Sequence, residues 1–135
     1  MKPLVRRSAK KSYFSFDKLI NPICVEDNME ESKYVYIFVR QDLSKEQQLV
    51  QSAHVALVLG SKLKGKVEGL YFTVIGIPRL IDFCDVMKKL QEHGTKYEIF
   101  YEPDQGNTIT AIATYPILKS KRGKLLDYKL LRFSN

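Results

Sequence analysis

Polar side chains that could take part in chemistry are concentrated just past the end of one apolar segment. That segment, Tyr34–Val39, is continuously apolar or aromatic. Polar groups on the first turns of a helix, beyond the end of a strand, are where α/β folds usually bind ligands. The sequence therefore predicts one half of a site in the stretch that follows. Its candidate residues are Arg40, Asp42, Lys45, Gln47, Gln51 and His54.

These residue types allow an anion-binding corner and acid–base chemistry. Lys45 in a first helical turn would place an ammonium beside free backbone N–H groups, which suits an anion. His54 lies one turn beyond Gln51, and a lone helical histidine is more often structural than catalytic. Asp104 lies in a turn after a later strand, where an aspartate commonly caps its own backbone.

Composition predicts one domain with a basic surface. The chain has 135 residues, 44% of them hydrophobic, and a formal net charge of +7. Such a charge favours nucleic acid, nucleotides or an anionic surface as partners, or it reflects solvated lysines alone. Two cysteines without a CxxC motif or a Cys/His cluster predict a reduced, intracellular protein with no zinc site. No apolar run approaches the length of a membrane span.

The elements that must position these residues are readable from periodicity. Ser44, with Gln47 three residues on, predicts a capping box and a helix from Lys45 to about Leu59, with Gly60 as its left-handed terminator. Strands are expected at 34–39, 70–75, 97–101 and 109–114. Pro78 is expected to open a second helix that Gly94 ends. The predicted fold is α/β, in the order β-α-β-α-β-β, with helices packed on a mixed four-stranded sheet.

Residues 1–32 differ from the remainder, which is taken as one domain, 33–135. The first part of the extension is basic and free of acids as far as Phe16, and the second part is acidic. It fits a loosely held tail, an RNA-contacting arm or an organelle-targeting segment. The cytoplasm is the expected location, with targeting by the N-terminus left open.

Three motifs resemble those of the type II peptidyl-tRNA hydrolase family. They are Val39-Arg40-Gln41-Asp42-Leu43 (family V-R-x-D-L), Gln51-Ser52-Ala53-His54-Val55-Ala56 (Q-x-x-H-A-A) and Asp104-Gln105-Gly106-Asn107-Thr108 (D-x-G-x-T). They occur in order within residues 33–116. The resemblance implies hydrolysis of the ester between a peptide and the tRNA 3′ ribose, with no metal or cofactor, and commonly a dimer.

The resemblance also implies roles for particular residues. Asp104, His54, Lys45 and Thr108 are the implied catalytic group. Asp104 would orient or deprotonate water, Lys45 would stabilise an oxyanion or a phosphate, and Thr108 and His54 would position the tRNA end. Substrate contacts are expected from Gln47, Gln51, Arg40, Gly106, Asn107 and Thr110. Phosphates of tRNA or peptidyl-tRNA are expected to contact Lys62, Lys64, Lys66, Lys119, Lys121, Arg122 and Lys124, so that affinity falls with salt.

This chain departs from the family pattern at both halves of the predicted site. The segment Ser44–Gln47 is two residues shorter than the family's K-M-G-K-G-K stretch, and the turn after Asp104 is also shorter. The second difference leaves open whether Thr108 or Thr110 lies at the site. A divergent hydrolase is one interpretation. The alternatives are a lapsed member that binds tRNA or a phosphorylated nucleotide, and a dimeric scaffold with a vestigial pocket.

Overall fold

The first apolar run forms the central strand of the sheet. In this computed structural model, which describes residues 31–129 and 131, strand β1 spans Lys33–Arg40. Its residues 35–39 are buried, as expected for a strand covered on both faces. Residues 1–30, most of the predicted extension, lie outside the described residues, and a compact unit begins at Ser32.

Among the described residues, two α-helices and four further strands follow β1. In chain order they are α1 (Lys45–Leu63), β2 (Leu70–Ile77), α2 (Phe83–His93), β3 (Tyr97–Glu102), β4 (Thr108–Thr114) and β5 (Ile117–Leu118). The sheet order is β2-β1-β4-β3, and β5 pairs with the start of β1. β1 and β2 are parallel, whereas β4 is antiparallel to both β1 and β3. The predicted α/β class and mixed sheet are confirmed, and β5 is a strand that the prediction lacked.

The two faces of the sheet carry separate apolar clusters. The α1-side cluster joins Val55 and Leu59 of α1 to Val35, Ile37 and Val39 of β1. The α2-side cluster joins the buried residues of α2 to the alternate residues of β1; its members include Phe83, Val86, Leu90, Tyr36 and Phe38. Each helix therefore covers one face of the sheet, and burying each apolar side chain contributes about 1.5–3 kcal/mol.

Helix α1 is longer than its sequence indicated. The predicted end at Leu59 with Gly60 as terminator is wrong, because the helix continues to Leu63 and Lys64 takes the left-handed conformation, with φ 53°. Leu63 packs against the α1-side cluster. That contact favours one more turn of helix, and Gly60 is accommodated inside it.

Pro78 ends β2 rather than opening α2. A single 3₁₀ turn, Leu80–Asp82, precedes the helix. The Asp82 carboxylate accepts hydrogen bonds from the backbone N–H and the guanidinium of Arg79, which lowers the pKa of that carboxyl. The first turn is therefore fixed by the Arg79–Asp82 pair. Gly94 ends α2 in the left-handed conformation, as predicted.

A β-bulge interrupts the pairing of β3 with β4. Phe100 pairs with Ala111, but the next residue, Tyr101, pairs with Ile109. Thr110 is therefore the extra residue of β4. Bulges bend a strand locally and redirect side chains, and this one lies beside the predicted site.

Candidate functional site

The start of α1 is fixed by hydrogen bonds from two neighbouring glutamines. Ser44 is the N-cap, and its hydroxyl accepts a hydrogen bond from the backbone N–H of Gln47 at 3.1 Å. The buried amide of Gln48 donates to the carbonyl of Leu43 at 2.8 Å. The Gln47 side chain does not return to the cap but accepts a hydrogen bond from Gln51 at 3.1 Å. The predicted N-cap is thus confirmed, while the reciprocal half of the capping box is absent.

The bend after β3 is organised around Glu102. This residue is 9% exposed, and its carboxylate accepts a hydrogen bond from the backbone N–H of Asp104 at 3.4 Å. Its carbonyl accepts from the N–H of Asn107 at 3.0 Å. Gly106 and Asn107 both have positive φ, which Gly and Asn tolerate best. The bend therefore returns the chain tightly into β4.

The start of α1 and the bend after β3 meet at one buried amide. Gln51 is fully buried, and its Nε2 donates to Oε1 of Glu102 at 2.7 Å. Its Oε1 accepts from the Thr110 hydroxyl, also at 2.7 Å. Because a carboxylate only accepts hydrogen bonds and the hydroxyl can donate, the amide has one favoured orientation. We call Gln47, Gln51, Glu102 and Thr110 the polar network.

His54 lies beside the same carboxylate. Its Nδ1 is buried, lies 3.7 Å from Oε1 of Glu102 and has no hydrogen-bond partner within the described residues, while its side chain is 41% exposed. The ring packs against Phe100 with centroids 4.6 Å apart. One edge of the imidazole therefore faces Glu102 and the opposite edge faces solvent.

Arg40 joins the end of β1 to the start of β4. Its guanidinium forms a bidentate pair with Asp42, at 2.8 and 3.0 Å, and donates to the Thr108 hydroxyl at 3.1 Å. That hydroxyl in turn donates to the carbonyl of Gln105 at 2.8 Å. Arg40 and Thr108 therefore hold one another, and the single proton of the Thr108 hydroxyl is already used.

The structure brings some of the predicted residues together and leaves others apart. Gln51 and Thr110 are fully buried, so they hold other groups in place instead of presenting atoms to a ligand. Lys45 and Asp104 are exposed, and within the described residues neither side chain has a hydrogen bond or ion pair. Gly106 and Asn107 are exposed on the bend.

Glu102 is the site residue that the sequence analysis missed. The carboxylate expected to approach α1 was Asp104, but the one that contacts Gln51 is two residues earlier. A signal was available: Glu102 alternates with Phe100 along β3, and Phe100 packs on the α1-side cluster. Strand periodicity alone places Glu102 on the face that α1 covers.

The predicted phosphate contacts lie away from this polar network. Lys62 is in the last turn of α1, and Lys64 and Lys66 are in the loop that leads to β2. Lys119, Lys121 and Arg122 follow β5, which pairs with the start of β1. The predicted Lys124 lies in the last short 3₁₀ segment. These residues therefore lie toward the amino ends of β1 and β2, whereas Arg40 and Asp42 mark the carboxyl end of β1.

Within residues 31–129 and 131, no three His, Cys, Asp or Glu side chains form a group that could hold a metal ion. Over the same residues, no helix is both long and apolar enough to cross a membrane. The chain matches no model of a known protein family, and no curated protein matches it. The resemblance to type II peptidyl-tRNA hydrolases therefore stays a prediction that rests on the three motifs.

Proposed function

We propose that this chain hydrolyses the ester between a peptide and the 3′ ribose of tRNA, at the cleft where the start of α1 meets the bend after β3. The proposal places it in a divergent branch of the type II peptidyl-tRNA hydrolase family, acting without a metal. The observation that supports it most is the contact of Gln51 with Glu102 at 2.7 Å, with His54 beside the same oxygen. One of the three family-like motifs, Gln51–Ala56, lies there, and Glu102 precedes a second one, Asp104–Thr108, by two residues.

In this proposal His54 is the general base and Glu102 is its positioning residue. The proposal assigns the ring proton to Nδ1, on the side of Glu102, so that the lone pair of Nε2 accepts a proton from water. The resulting hydroxide adds to the ester carbonyl carbon. When the tetrahedral intermediate collapses, the bond to the ribose oxygen breaks and that oxygen takes the proton back from His54. The products are a free tRNA hydroxyl and a peptide carboxylic acid, which loses its proton to solvent to become the carboxylate.

Lys45 and Asp104 supply charge at the rim of the cleft. Both are exposed and unpaired within the described residues, so both are free to meet a ligand. Lys45 stabilises the oxyanion or the adjoining phosphate, since one well-aimed donor contributes about 3–4 kcal/mol to such a transition state. Asp104 orients the water. Thr108 positions the acceptor end through the one lone pair of its hydroxyl oxygen that Arg40 does not use.

The test is single-turnover cleavage of an N-blocked aminoacyl-tRNA. Replacing His54 with Ala should lower the rate by roughly 10²- to 10⁴-fold, the usual contribution of a general base. Glu102→Gln should lower it less, because the amide keeps the size of the side chain but removes the charge beside the imidazole. His93→Ala is the matched control, because His93 ends α2 and bonds to Thr95 instead. An unchanged rate in His54→Ala would overturn the proposed base.

The variant Asp104→Asn distinguishes the role of Asp104 from that of Glu102, the other carboxylate of the bend. If Asp104 only orients water, this variant should retain more activity than His54→Ala. A complete loss in Asp104→Asn with full activity in Glu102→Gln would instead assign the base to Asp104. Both variants keep the size of the side chain, so melting temperatures measured alongside report whether folding is intact.

One observation favours a binding protein as the second candidate. Lys45 forms no ion pair with Glu102 or Asp104 within the described residues, so no cation is yet directed at the polar network. A lapsed enzyme would bind tRNA or a phosphorylated nucleotide and leave the ester intact. Affinity and cleavage are measured in the same samples. A binding protein would hold peptidyl-tRNA tightly, and the ester would be cleaved no faster than without the protein.

A further inference from the structure

An aromatic stack is open to solvent at the amino end of the two parallel strands. Tyr34 of β1 and Tyr71 of β2 are paired neighbours whose rings stack at 5.2 Å and 25°. The guanidinium of Arg122 lies over the Tyr34 ring at 4.2 Å. Tyr71, at the outer end of the stack, is 54% exposed. Its ring thus extends a cation–π and π-stacked column to the surface.

The edge of the sheet is uncovered at this point within the described residues. β2 is the outer strand beside β1, and the backbone N–H of Leu131 bonds to the carbonyl of Val74 farther along it. Nearer the start of β2, Tyr71 and Phe72 are both 54% exposed. Adjacent strand residues point to opposite faces, so aromatic surface is available on both sides of the edge.

Positive charge surrounds the stack. The segments that adjoin it are the start of β1, the end of α1 with its following loop, and β5 with the turn after it. Their basic residues are Lys33, Lys62, Lys64, Lys66, Lys119, Lys121 and Arg122, and their acidic residues are Glu31 and Glu68. Exposed aromatic rings within a basic surface are the features with which proteins bind single-stranded nucleic acid.

We infer that this end of the sheet is a second RNA-contacting surface, where Tyr71 stacks on an unpaired nucleotide of the tRNA and the surrounding lysines contact its phosphates. We call it the Tyr71 platform. The inference deepens the proposed function and rests on it for the position of the tRNA 3′ end, at the polar network. The stack lies at Tyr34 and the polar network is level with Arg40, so about six residues of β1, roughly 20 Å, separate the two places. A mononucleotide cannot span that distance, whereas a tRNA can.

The test measures binding of deacylated tRNA by fluorescence anisotropy, which needs no ester and no turnover. Tyr71→Ala should weaken binding about tenfold, within the range measured for loss of one base–aromatic stack. Tyr71→Phe keeps the ring and should bind within about twofold of the unaltered chain. The double variant Lys119→Glu, Lys121→Glu should weaken binding and flatten the dependence of log Kd on log salt. Lys88→Glu is the matched charge control, because Lys88 is exposed on α2.

Several results would overturn the inference. One is equal binding by Tyr71→Ala and Tyr71→Phe. Another is that anionic vesicles bind more tightly than tRNA and that this vesicle binding depends on Tyr71. That result would assign the surface to a membrane. A third is a dimer that Tyr71→Ala dissociates without any effect on RNA affinity. Melting temperatures of Tyr71→Ala and Tyr71→Phe should agree within a few degrees, so that lost binding does not reflect unfolding.

The two proposals fail separately. If deacylated tRNA binds in a Tyr71-dependent manner but peptidyl-tRNA is not cleaved, the proposed hydrolase is wrong and the platform is supported. If peptidyl-tRNA is cleaved at the same kcat/KM by Tyr71→Ala, the hydrolase is supported and the platform is wrong. Comparing the affinity for an RNA oligonucleotide with the affinity for AMP shows whether ligand length matters. Equal affinities for the two would also contradict the platform.

Discussion

Replacement of Thr110 by Val tests whether the polar network is held together as the structure indicates. Thr110 and Gln51 are both fully buried, and the Thr110 hydroxyl donates to the Gln51 amide oxygen at 2.7 Å. Val has nearly the shape of Thr but no hydroxyl. The substitution therefore leaves one buried amide oxygen without its donor, which costs about 1–3 kcal/mol of the free energy of unfolding.

Urea denaturation measures that cost directly. With a slope of about 2 kcal/mol per molar urea, typical of a small domain, a loss of about 2 kcal/mol moves the midpoint down by about 1 M. The double-mutant cycle of Thr110→Val with Gln51→Leu should give a coupling energy of at least about 0.5 kcal/mol, as expected for residues in contact. The slope itself should stay constant, since the surface exposed on unfolding is nearly unchanged.

The outcome that refutes the reasoning is an unchanged midpoint. In that case Gln51 does not depend on Thr110 for its orientation, and the argument that the hydroxyl directs the amide toward Glu102 is wrong. Thr108→Val is the matched control on the same strand. Its hydroxyl contacts Arg40 and Gln105 and is only half-buried, so the predicted loss is smaller.

Two further predictions concern stability alone. Ser44→Ala removes the N-cap that accepts from Gln47 and should cost about 1 kcal/mol in thermal unfolding, whereas Ser61→Ala, in the last turns of α1, should cost less; equal losses would contradict the cap. Burial raises the pKa of the Tyr128 phenol, whose buried oxygen has no hydrogen-bond partner within the described residues. The folded state thus keeps its proton after the unfolded chain has lost it, so stability falls as pH rises above about 10. Tyr128→Phe should be at least as stable at neutral pH and should show a shallower alkaline loss; an unaltered alkaline profile would refute the assignment.

Local sequence signals predicted those parts of the fold that depend on local contacts. The buried run of β1 follows from its continuous apolar character, and the N-cap at Ser44 from a short polar side chain ahead of a helical pattern. The end of α1 was mispredicted because Gly60 is a frequent terminator. The contact of Leu63 with the α1-side cluster, which no local pattern reveals, carries the helix one turn farther. Tertiary packing therefore overrode a local signal there.

The candidate site was predictable by region but not by residue. Gln47, Gln51 and His54 were identified from helical spacing, and Gln51 and His54 do lie against one carboxylate. The D-x-G-x-T pattern points to Asp104, whereas the carboxylate that contacts Gln51 is that of Glu102, which also accepts from the backbone N–H of Asp104. Strand periodicity instead indicates Glu102, which alternates with Phe100 and faces α1.

The β-bulge explains why the sequence could not decide between Thr108 and Thr110. In a regular strand Thr110 would share a face with Ile112, which packs in the α2-side cluster. The extra residue changes the phase of the strand, so that Ile109 packs with the α2-side cluster and the Thr110 hydroxyl reaches Gln51 of α1. The sequence of β4 alone does not identify the extra residue, because that residue is defined by the pairing with β3. The geometry at Glu102 therefore depends on a feature of the sheet that only the folded chain possesses.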